Sequence, residues 1–324
     1  MDRILIIQTA FIGDVILATP LVEKLNRFYP RSKIDFLVRK GNEGLLRDHP
    51  KINKVLVWDK KNAKYNSLTK LSKRIRKENY DLLVNLQRFT SSGLLTTSSK
   101  AKVKIGFSKN PFSFAFTRKF PHVIDQDKHE VDRNLSLIQD LTDESFQRPV
   151  LYPSDADYEK VSNYRNEPYV CAAPSSVWFT KQFPSEKWVE LFDQIKPDRK
   201  IFLLGAPGDV DLCMRIQKES VNENIIILAG ELNFLQSAAL MQGAKMNYVN
   251  DSAPMHMASA VNAPVTAIFC STVPEFGFGP LSDDSRIVQT NEKLECRPCG
   301  LHGKKACPKG HFKCALTIDT KSLA

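Results

Sequence analysis

The sequence has no long apolar segment and no stretch of biased composition. No uninterrupted apolar run approaches the roughly 18 to 20 residues that a membrane-spanning helix needs. The sequence contains neither an internal repeat nor a low-complexity tract. Its first residues lead directly into the strand-like segment Ile4–Ile7, without the apolar core and small-residue cleavage site of a signal peptide. We therefore expect a cytoplasmic protein without a membrane span.

A recognisable nucleic-acid-binding motif is also missing, although the chain is basic. The net charge is +10, and it is unevenly spread. Residues 1–130 hold 26 Lys and Arg against 12 Asp and Glu, a balance of +14, whereas residues 131–324 hold 20 against 24, a balance of −4. A basic first half favours an anionic partner such as a phosphorylated substrate, an anionic membrane surface or a nucleic acid. A merely solvated surface is the alternative.

The chain is long enough for two domains of ordinary composition. It has 324 residues, of which 42% are hydrophobic and 25% charged, as in globular proteins. Residues 142–153 contain two prolines and mixed polar residues, so they are expected to link a first domain, residues 1–150, to a second, residues 151–324.

Apolar runs alternate with segments of helical periodicity in both halves of the chain. This alternation predicts an α/β fold with doubly wound parallel sheets. The predicted strands are Ile4–Ile7, Ile34–Val38, Val55–Trp58, Leu82–Leu86, Val103–Phe107, Tyr169–Ala172, Ile201–Leu204, Ile225–Leu228, Met246–Val249 and Val265–Phe269. The predicted helices are 15–28, Lys64–Asn79, His129–Leu141, Ser185–Ile195, Val210–Glu219, Leu235–Gln242 and an Ala-rich segment that starts near Ser252.

The loop after the first strand carries residues suited to a ligand site. Gly13 permits close approach of the backbone, and Asp14 lies where the first strand passes to its first helix. Open α/β sheets bind ligands at the carboxyl ends of their strands. Capping of the helix by Asp14 is the alternative role, and the two are compatible.

A second strand, loop and helix follow near residue 250. Asp251 or Ser252 suits the N-cap position, and Pro254 suits the first helical turn. Such a helix directs free backbone N–H groups and its positive dipole end towards the ligand crevice, which suits a phosphate within reach of His256. Alternatively, Asp251 only caps an ordinary connection and His256 is a surface histidine.

The loop after the strand at 169–172 has the composition of a diphosphate clamp. Ser175 and Ser176 would donate hydrogen bonds, and the ammonium of Lys181 would neutralise charge.

Four of the seven cysteines lie close to the C-terminal end, in the spacing Cys296-x2-Cys299-x7-Cys307-x6-Cys314. In a cytoplasmic protein this spacing suggests zinc more than disulfides. Disulfide pairing and reduced thiols remain alternatives. The other three, in or beside apolar runs, are predicted core residues: Cys171, Cys213 and Cys270.

Five short segments become informative when they are taken in order. They are Ile12-Gly13-Asp14-Val15 with Thr19-Pro20, His129-Glu130 with Arg133-Asn134, Lys181-x-Phe183-Pro184, Leu228-Ala229-Gly230, and Asn250-Asp251-Ser252-Ala253-Pro254-Met255-His256. In this order and spacing, over nearly the whole chain, they resemble the ADP-heptose:lipopolysaccharide heptosyltransferases. The resemblance implies a GT-B fold, in which two Rossmann-like domains face each other across a cleft. Residues 1–150 would bind the acceptor and residues 151–324 the nucleotide-sugar.

The resemblance also implies an activity and roles for individual residues. Heptose would pass from ADP-heptose to the inner core of lipopolysaccharide with inversion, with Asp14 as the general base and with Thr9 and Gly13 on the acceptor side. The implied donor-binding residues are Ser175, Ser176, Lys181, Asp209, Asp251, Ser252, Ala253 and His256.

Neither a cofactor nor a metal is implied, although Asp-x-Asp occurs at 125–127, 155–157 and 209–211. The acceptor, Kdo-lipid A or inner core, is anionic and would explain the basic first half. The implied location is the cytoplasm, with peripheral contact at the inner membrane and without nucleic acid.

Two other functions remain compatible with the sequence. A related transferase could use another nucleotide-sugar for a different surface glycan. A non-catalytic protein could bind a nucleotide or an anionic glycolipid through the same cleft, but such a protein would need no base at Asp14.

Overall fold

The computed structural model describes residues 1–60, 64–124 and 128–323, without the side chains of residues 64 and 65. The chain divides into two compact units, Met1–Tyr152 and Pro153–Ala324. The boundary expected from the sequence lies at residue 150. The Asp-x-Asp sequence at 125–127 falls outside the described residues.

The first unit alternates strands and helices along the chain. Its strands are β1 (Arg3–Ile7), β2 (Lys33–Arg39), β3 (Lys54–Trp58), β4 (Leu82–Asn85), β5 (Val103–Phe107) and β6 (Arg118–Phe120). Its helices are α1 (Ile12–Ile16), α2 (Thr19–Phe28), α3 (Lys64–Lys77), α4 (Thr90–Ser98) and α5 (Glu130–Leu135).

The second unit repeats the same alternation. Its strands are β7 (Tyr169–Ala173), β8 (Lys200–Leu203), β9 (Ile225–Ile227), β10 (Asn247–Asn250), β11 (Val265–Phe269) and β12 (Ser285–Gln289). Its helices are α6 (Asp155–Lys160), α7 (Ser185–Phe192), α8 (Val210–Glu219), α9 (Phe234–Gly243), α10 (Ala253–Ala260) and α11 (Lys313–Leu316).

Each unit contains a parallel six-stranded sheet, and the two sheets share one strand order. The first sheet runs β3-β2-β1-β4-β5-β6, and the second runs β12-β11-β10-β7-β8-β9, which is the same order read from the other edge. This is the strand order of Rossmann folds. The order reverses between β1 and β4 and between β7 and β10, and ligands bind beside such reversals at the carboxyl ends of the strands.

The central strands are apolar because helices cover both faces of a doubly wound sheet. Ile4 to Ile7 of β1 and Val265 to Phe269 of β11 are buried. The predicted core cysteines Cys171, Cys213 and Cys270 are buried as well. The bounds of β5, β11 and α8 are those predicted, and most other predicted elements end within three residues of the observed limits.

The continuous helix predicted over residues 15–28 is wrong, because the chain breaks between α1 and α2. Pro20 has no N–H with which to bond the carbonyl of Ile16. The hydroxyl of Thr19 donates to that carbonyl instead, over 2.8 Å. The Thr19-Pro20 pair therefore ends α1 and starts α2.

The helix predicted over His129–Leu141 is also wrong in its second half. Helix α5 ends at Leu135, and a short 3₁₀ turn follows at Gln139–Leu141. The hydroxyl of Ser136 donates to the carbonyl of Arg133 over 2.7 Å, where the N–H of Leu137 would bond in a continuing helix. The N–H of Leu137 bonds the carbonyl of Asn134 instead, which tightens the chain into a three-residue step.

Within the described part of the chain, the helices that form are all too short or too polar to cross a membrane.

Lys24 holds residues 143–145, which lie shortly before the second unit, through hydrogen bonds. Its side chain is only 1% exposed. Its Nζ donates to the carbonyls of Asp143 and Ser145 over 2.6 and 2.7 Å, and it also pairs with the Asp143 carboxylate. Arg27 binds the same carboxylate over 2.7 Å, but its side chain is 54% exposed.

We expect Lys24→Met to lower the free energy of unfolding by about 2 kcal/mol, because it leaves two carbonyls without their donor. Chemical denaturation checks this value. Arg27→Met is the matched control and should change stability by no more than about 0.5 kcal/mol, since exposed ion pairs contribute little. Equal losses in the two variants would contradict the assignment.

Candidate functional site

The loops after β7 and β10 meet beside the strand reversal of the second unit. The loop after β7 ends in a 3₁₀ turn, Phe179–Lys181. Lys181 Nζ lies 2.8 Å from Asp251 Oδ2, and the two side chains are only 15% and 7% exposed. Thr272 Oγ1 donates to the same carboxylate oxygen over 2.6 Å. The ammonium group of Lys181 is thus held beside the connection between β10 and α10.

Asn250 fixes both ends of the loop after β7. Its side chain is fully buried at the end of β10. Nδ2 donates to the carbonyl of Pro174 over 2.9 Å, and Oδ1 accepts from the N–H of Phe183 over 2.9 Å. One buried amide therefore holds the segment that carries Ser175, Ser176 and Lys181.

The start of α10 is half-exposed and lies directly after Asp251. Ser252 occupies the N-cap position with an extended backbone, but its side chain caps no helix N–H. Ser252 and Ala253 are both partly exposed. Pro254 has no N–H, and the N–H of Met255 donates to the carbonyl of Ser252 over 3.1 Å, so this end of the helix offers a ligand the N–H of Ala253.

Two of the alternatives open from sequence are wrong at this helix. Asp251 does not only cap α10, because its carboxylate binds Lys181 and Thr272. His256 is not a surface histidine, because it is only 6% exposed.

Ser175 and Asp209 are brought together, whereas the described contact of Ser176 is made by its backbone. Ser175 Oγ donates to Asp209 Oδ1 over 2.6 Å, and Asp209 Oδ2 accepts from the N–H of Ala206 over 2.7 Å. The carbonyl of Ser176 accepts from Gln182 over 2.6 Å. Asp209 therefore orders the loop after β8 and orients the Ser175 hydroxyl.

Asp14 lies at the carboxyl end of β1 in the first unit. It is the third residue of α1, and its Oδ2 accepts from the N–H of Phe11 over 3.0 Å. Burial and, second, the charge of Glu130 raise the pKa of Asp14 to about 6. The helix-capping role is thus present, together with a carboxyl group that titrates close to neutral pH.

Glu130 begins α5 and is held in its charged form. Its Oε1 lies 3.1 Å from His122 Nε2, and its Oε2 accepts from Arg133 Nε over 2.8 Å. Although burial opposes it, these two partners hold the pKa of Glu130 below its usual value. Because Glu130 stays ionised, it acts on Asp14 as a fixed negative charge.

The two residues predicted to lie on the acceptor side, Thr9 and Gly13, both precede Asp14 in the loop after β1 and the start of α1. Thr9 is only 2% exposed, and Lys60 Nζ donates to its carbonyl and hydroxyl over 2.7 and 3.1 Å. Gly13 is partly exposed at the start of α1. The bonds from Lys60 therefore hold the loop after β1 at Thr9, and Gly13 lies on the surface of the same region.

The cysteine-rich segment contains the four cysteines singled out from the sequence. Cys296, Cys299, Cys307 and Cys314 are free thiols. Cys296 Sγ lies 3.8 Å from His311 Nε2. Among the residues that the structure describes, no three His, Cys, Asp or Glu side chains are grouped to hold a metal ion. Zinc binding by these cysteines stays a prediction.

The polar residues that organise the two loops were partly missed from the sequence. Glu130 and Asn250 stand in the motifs that resemble the heptosyltransferases, but neither was assigned a role. Thr272 carried no signal, because isolated threonines are common and its partner Asp251 is distant in sequence.

The chain matches a family model and a curated relative over most of its length. The model of glycosyltransferase family 9 (heptosyltransferase) matches residues 68–308. Lipopolysaccharide heptosyltransferase 3 of Escherichia coli is 30% identical over 278 residues, which is 81% of this chain and 82% of that protein.

Solved structures share the fold. Escherichia coli ADP-heptose lps heptosyltransferase II superposes with a TM-score of 0.78 at 22% identity, covering 92% of this chain and 95% of that one. Escherichia coli WaaC with ADP-2-deoxy-2-fluoro heptose gives a TM-score of 0.70 at 20% identity, covering 89% and 93%. The predicted fold class, GT-B with two Rossmann-like sheets, is thereby confirmed.

We expect Glu130→Gln to lower the pKa of Asp14 from about 6 towards the usual value of 3.8, because removal of a negative neighbour favours the ionised carboxyl. Burial, the larger cause, still keeps it above that value. A carboxyl-carbon NMR titration measures the change. Asp132→Asn, which removes the same charge two residues further along α5, is the control. An unchanged Asp14 titration in Glu130→Gln would disprove the coupling.

Proposed function

Because the chain belongs to glycosyltransferase family 9, the heptosyltransferases, we propose that it transfers heptose from ADP-heptose to the inner core of lipopolysaccharide with inversion. It is a transferase of lipopolysaccharide biosynthesis. The observation that carries the proposed site is the Lys181–Asp251 pair at the start of α10.

The second unit would bind the donor at this pair. The diphosphate carries more negative charge than the single Asp251 carboxylate, so it competes for the Lys181 ammonium. The N–H of Ala253 and the hydroxyl of Ser176 would supply further donors, and the hydroxyl of Ser175 would do so by exchanging Asp209 for a phosphate oxygen. Asp251, Ala253 and His256 would shape the pocket around the sugar and phosphates, and Asp209 orients Ser175.

The first unit would supply the general base. Deprotonated Asp14 takes the proton of the acceptor hydroxyl as its oxygen forms a bond to the anomeric carbon. The bond from that carbon to the β-phosphate oxygen breaks at the same time, and ADP leaves with the electron pair. Because the nucleophile enters opposite the leaving group, the configuration inverts. Thr9 and Gly13 would border the acceptor.

The chain's own cations and amides would stabilise the departing diphosphate. Charge on the leaving group develops where Lys181 and the start of α10 provide positive potential. We therefore propose that transfer proceeds without a metal cofactor.

The basic balance of residues 1–130 suits an anionic glycolipid acceptor such as Kdo-lipid A or a longer inner core. Phosphates and carboxylates would be drawn to this charge, and peripheral contact of the enzyme with the cytoplasmic face of the inner membrane would follow. This location and the basic surface need no nucleic-acid partner.

We expect ADP, rather than UDP, GDP or CMP, to bind the purified protein in calorimetric titrations carried out in EDTA. Lys181→Ala should raise the Kd for ADP by roughly 10- to 100-fold, because it removes a charge-assisted contact and leaves Asp251 facing the phosphates. Lys187→Ala is the control, since Lys187 is a lysine of the same unit that pairs with Glu190.

Each other result of this titration points to a different function. Selective binding of another nucleotide would move the donor to a different nucleotide-sugar. An unchanged affinity for ADP in Lys181→Ala would reject the proposed diphosphate site. ADP binding that occurs without EDTA but is lost in EDTA would reject metal independence.

We expect the kcat/KM of heptose transfer to rise with pH through an apparent pKa near 6, because Asp14 must be deprotonated to act as a base. Below that pH the protonated carboxyl cannot accept the hydroxyl proton, and the rate falls. Asp14→Asn should lower the rate by roughly 10²- to 10⁴-fold without changing the Kd for ADP. The assay follows ADP release with a Kdo-containing inner-core acceptor, and full activity in Asp14→Asn would exclude this base.

A further inference from the structure

The turn that carries Lys181 is held from outside by the cysteine-rich segment. We call residues 296–304 the strap. The N–H of Thr180 donates to the carbonyl of Lys304 over 3.1 Å, and the N–H of Lys304 donates to Thr180 Oγ1 over 2.8 Å. Thr180 is only 1% exposed. The middle residue of the donor turn is therefore paired reciprocally with the last residue of the strap.

Ser271 joins the same contact from the end of β11. Its N–H donates to the carbonyl of Thr180 over 3.2 Å, and its hydroxyl lies 2.9 Å from Thr180 Oγ1. The carbonyl of Ser271 accepts from the N–H of Cys299 over 2.9 Å. Thr180 is thus fixed between the sheet and the strap.

Arg297 anchors the other end of the strap to the same sheet edge. Its guanidinium donates to the carbonyls of Cys270 and Thr272 over 2.7 Å each. Thr272 in turn donates to the Asp251 carboxylate that pairs with Lys181. The strap and the ion pair are therefore fastened to one short piece of chain beyond β11.

Gly303 is the point at which the strap touches Lys181. A Cβ atom there would lie 2.9 Å from Lys181 Cγ, 3.1 Å from Thr180 Oγ1 and 3.2 Å from Trp178 Cβ. These distances are shorter than ordinary van der Waals contacts. The aliphatic stem of Lys181 therefore lies directly against strap backbone that has no side chain.

From these contacts we propose that Gly303 and Thr180 are positioning residues for the donor diphosphate. They hold the flexible lysine stem in one direction, so that the ammonium is already oriented when the phosphates arrive. Pre-organisation of this kind raises affinity because a long side chain no longer has to be ordered on binding. The inference rests on the proposed role of Lys181 and extends the donor site to the strap.

Two glycine variants test the contact. Gly303→Ala inserts a methyl group against the Lys181 stem, and we expect it to raise the Kd for ADP about tenfold. Gly310→Ala is the control, since the two glycines have nearly equal φ values of +75° and +72°, and a Cβ at Gly310 meets nothing within 4 Å. Both variants place a methyl group at a similarly positive φ, but only Gly303→Ala crowds Lys181 and its neighbours Thr180 and Trp178.

A double-mutant cycle separates positioning from general damage. In the Lys181→Ala background, Gly303→Ala should weaken ADP binding by less than twofold, because the group it displaces is already absent. An equal loss in both backgrounds would overturn the inference.

Two threonine variants test the same inference if Gly303→Ala fails to fold. Thr180→Val keeps the shape but removes the acceptor of the Lys304 N–H, so the Kd for ADP should rise about tenfold. Thr180→Ser keeps the hydroxyl and should restore wild-type affinity.

The outcomes distinguish this inference from the function on which it rests. If Lys181→Ala leaves ADP binding intact, the donor site is wrong and the positioning role falls with it. If Lys181→Ala weakens binding while Gly303→Ala matches Gly310→Ala, or while Thr180→Val matches Thr180→Ser, the donor site stands and the positioning role is overturned.

Discussion

The ion pair between Lys181 and Asp251 is the contact on which the proposed donor site of the second unit depends. Both side chains are largely shielded from water, so each is costly to leave alone. Thr272 adds a hydrogen bond to Asp251, and the lysine ammonium has three donors, of which this carboxylate takes one. The pair is thus satisfied without a ligand and still retains donors for one. A diphosphate would replace the Asp251 carboxylate as the charged partner of Lys181, so it would enter a pocket that already holds charged groups.

The residues proposed for chemistry in the two units follow the corresponding strand of each sheet and carry opposite charges. Both sheets have the Rossmann order, and in both the loop after the first strand carries the residue proposed for chemistry. In the first unit this residue is Asp14, a carboxyl whose pKa is raised by burial and by Glu130. In the second unit it is Lys181, held beside a helix N-terminus. A general base needs a pKa near the working pH, and a departing diphosphate needs positive potential, so under the proposed function the same strand order would serve two electrostatic requirements.

The sequence carried most of the fold, because strands buried on both faces and amphipathic helices leave periodic patterns. The run Ile4–Ile7 marks β1, and the apolar positions of Val210–Glu219 mark α8. The division of 15–28 into two helices was missed because Thr19 and Pro20 act together. Pro20 lacks the N–H that would bond the carbonyl of Ile16, and the Thr19 hydroxyl donates to that carbonyl instead. The spacing of apolar residues does not show that a side-chain hydroxyl has replaced a backbone N–H as the donor.

The site was less predictable because its contacts join distant residues. Asp251 was recognised as a residue at the start of a helix, but its pairing with Lys181 depends on β7 and β10 being neighbours in the sheet. The sequence pattern of either strand alone does not fix that order. Asn250 has the same dependence, since its buried amide bonds the loop after β7. Motif resemblance located such residues, whereas their physical roles required the strand order.

The strap supports a short turn, Phe179–Lys181, from elsewhere in the chain. A three-residue turn such as Phe179–Lys181 has too few backbone groups to fix a long side chain by itself. The strap supplies the missing constraint. Lys304, which is 124 positions after Thr180, bonds the Thr180 hydroxyl, and the backbone of Gly303 lies against Lys181. Cysteine spacing drew attention to this segment for its metal-binding chemistry. Independently of that chemistry, its described contacts support the proposed orientation of one lysine by Gly303.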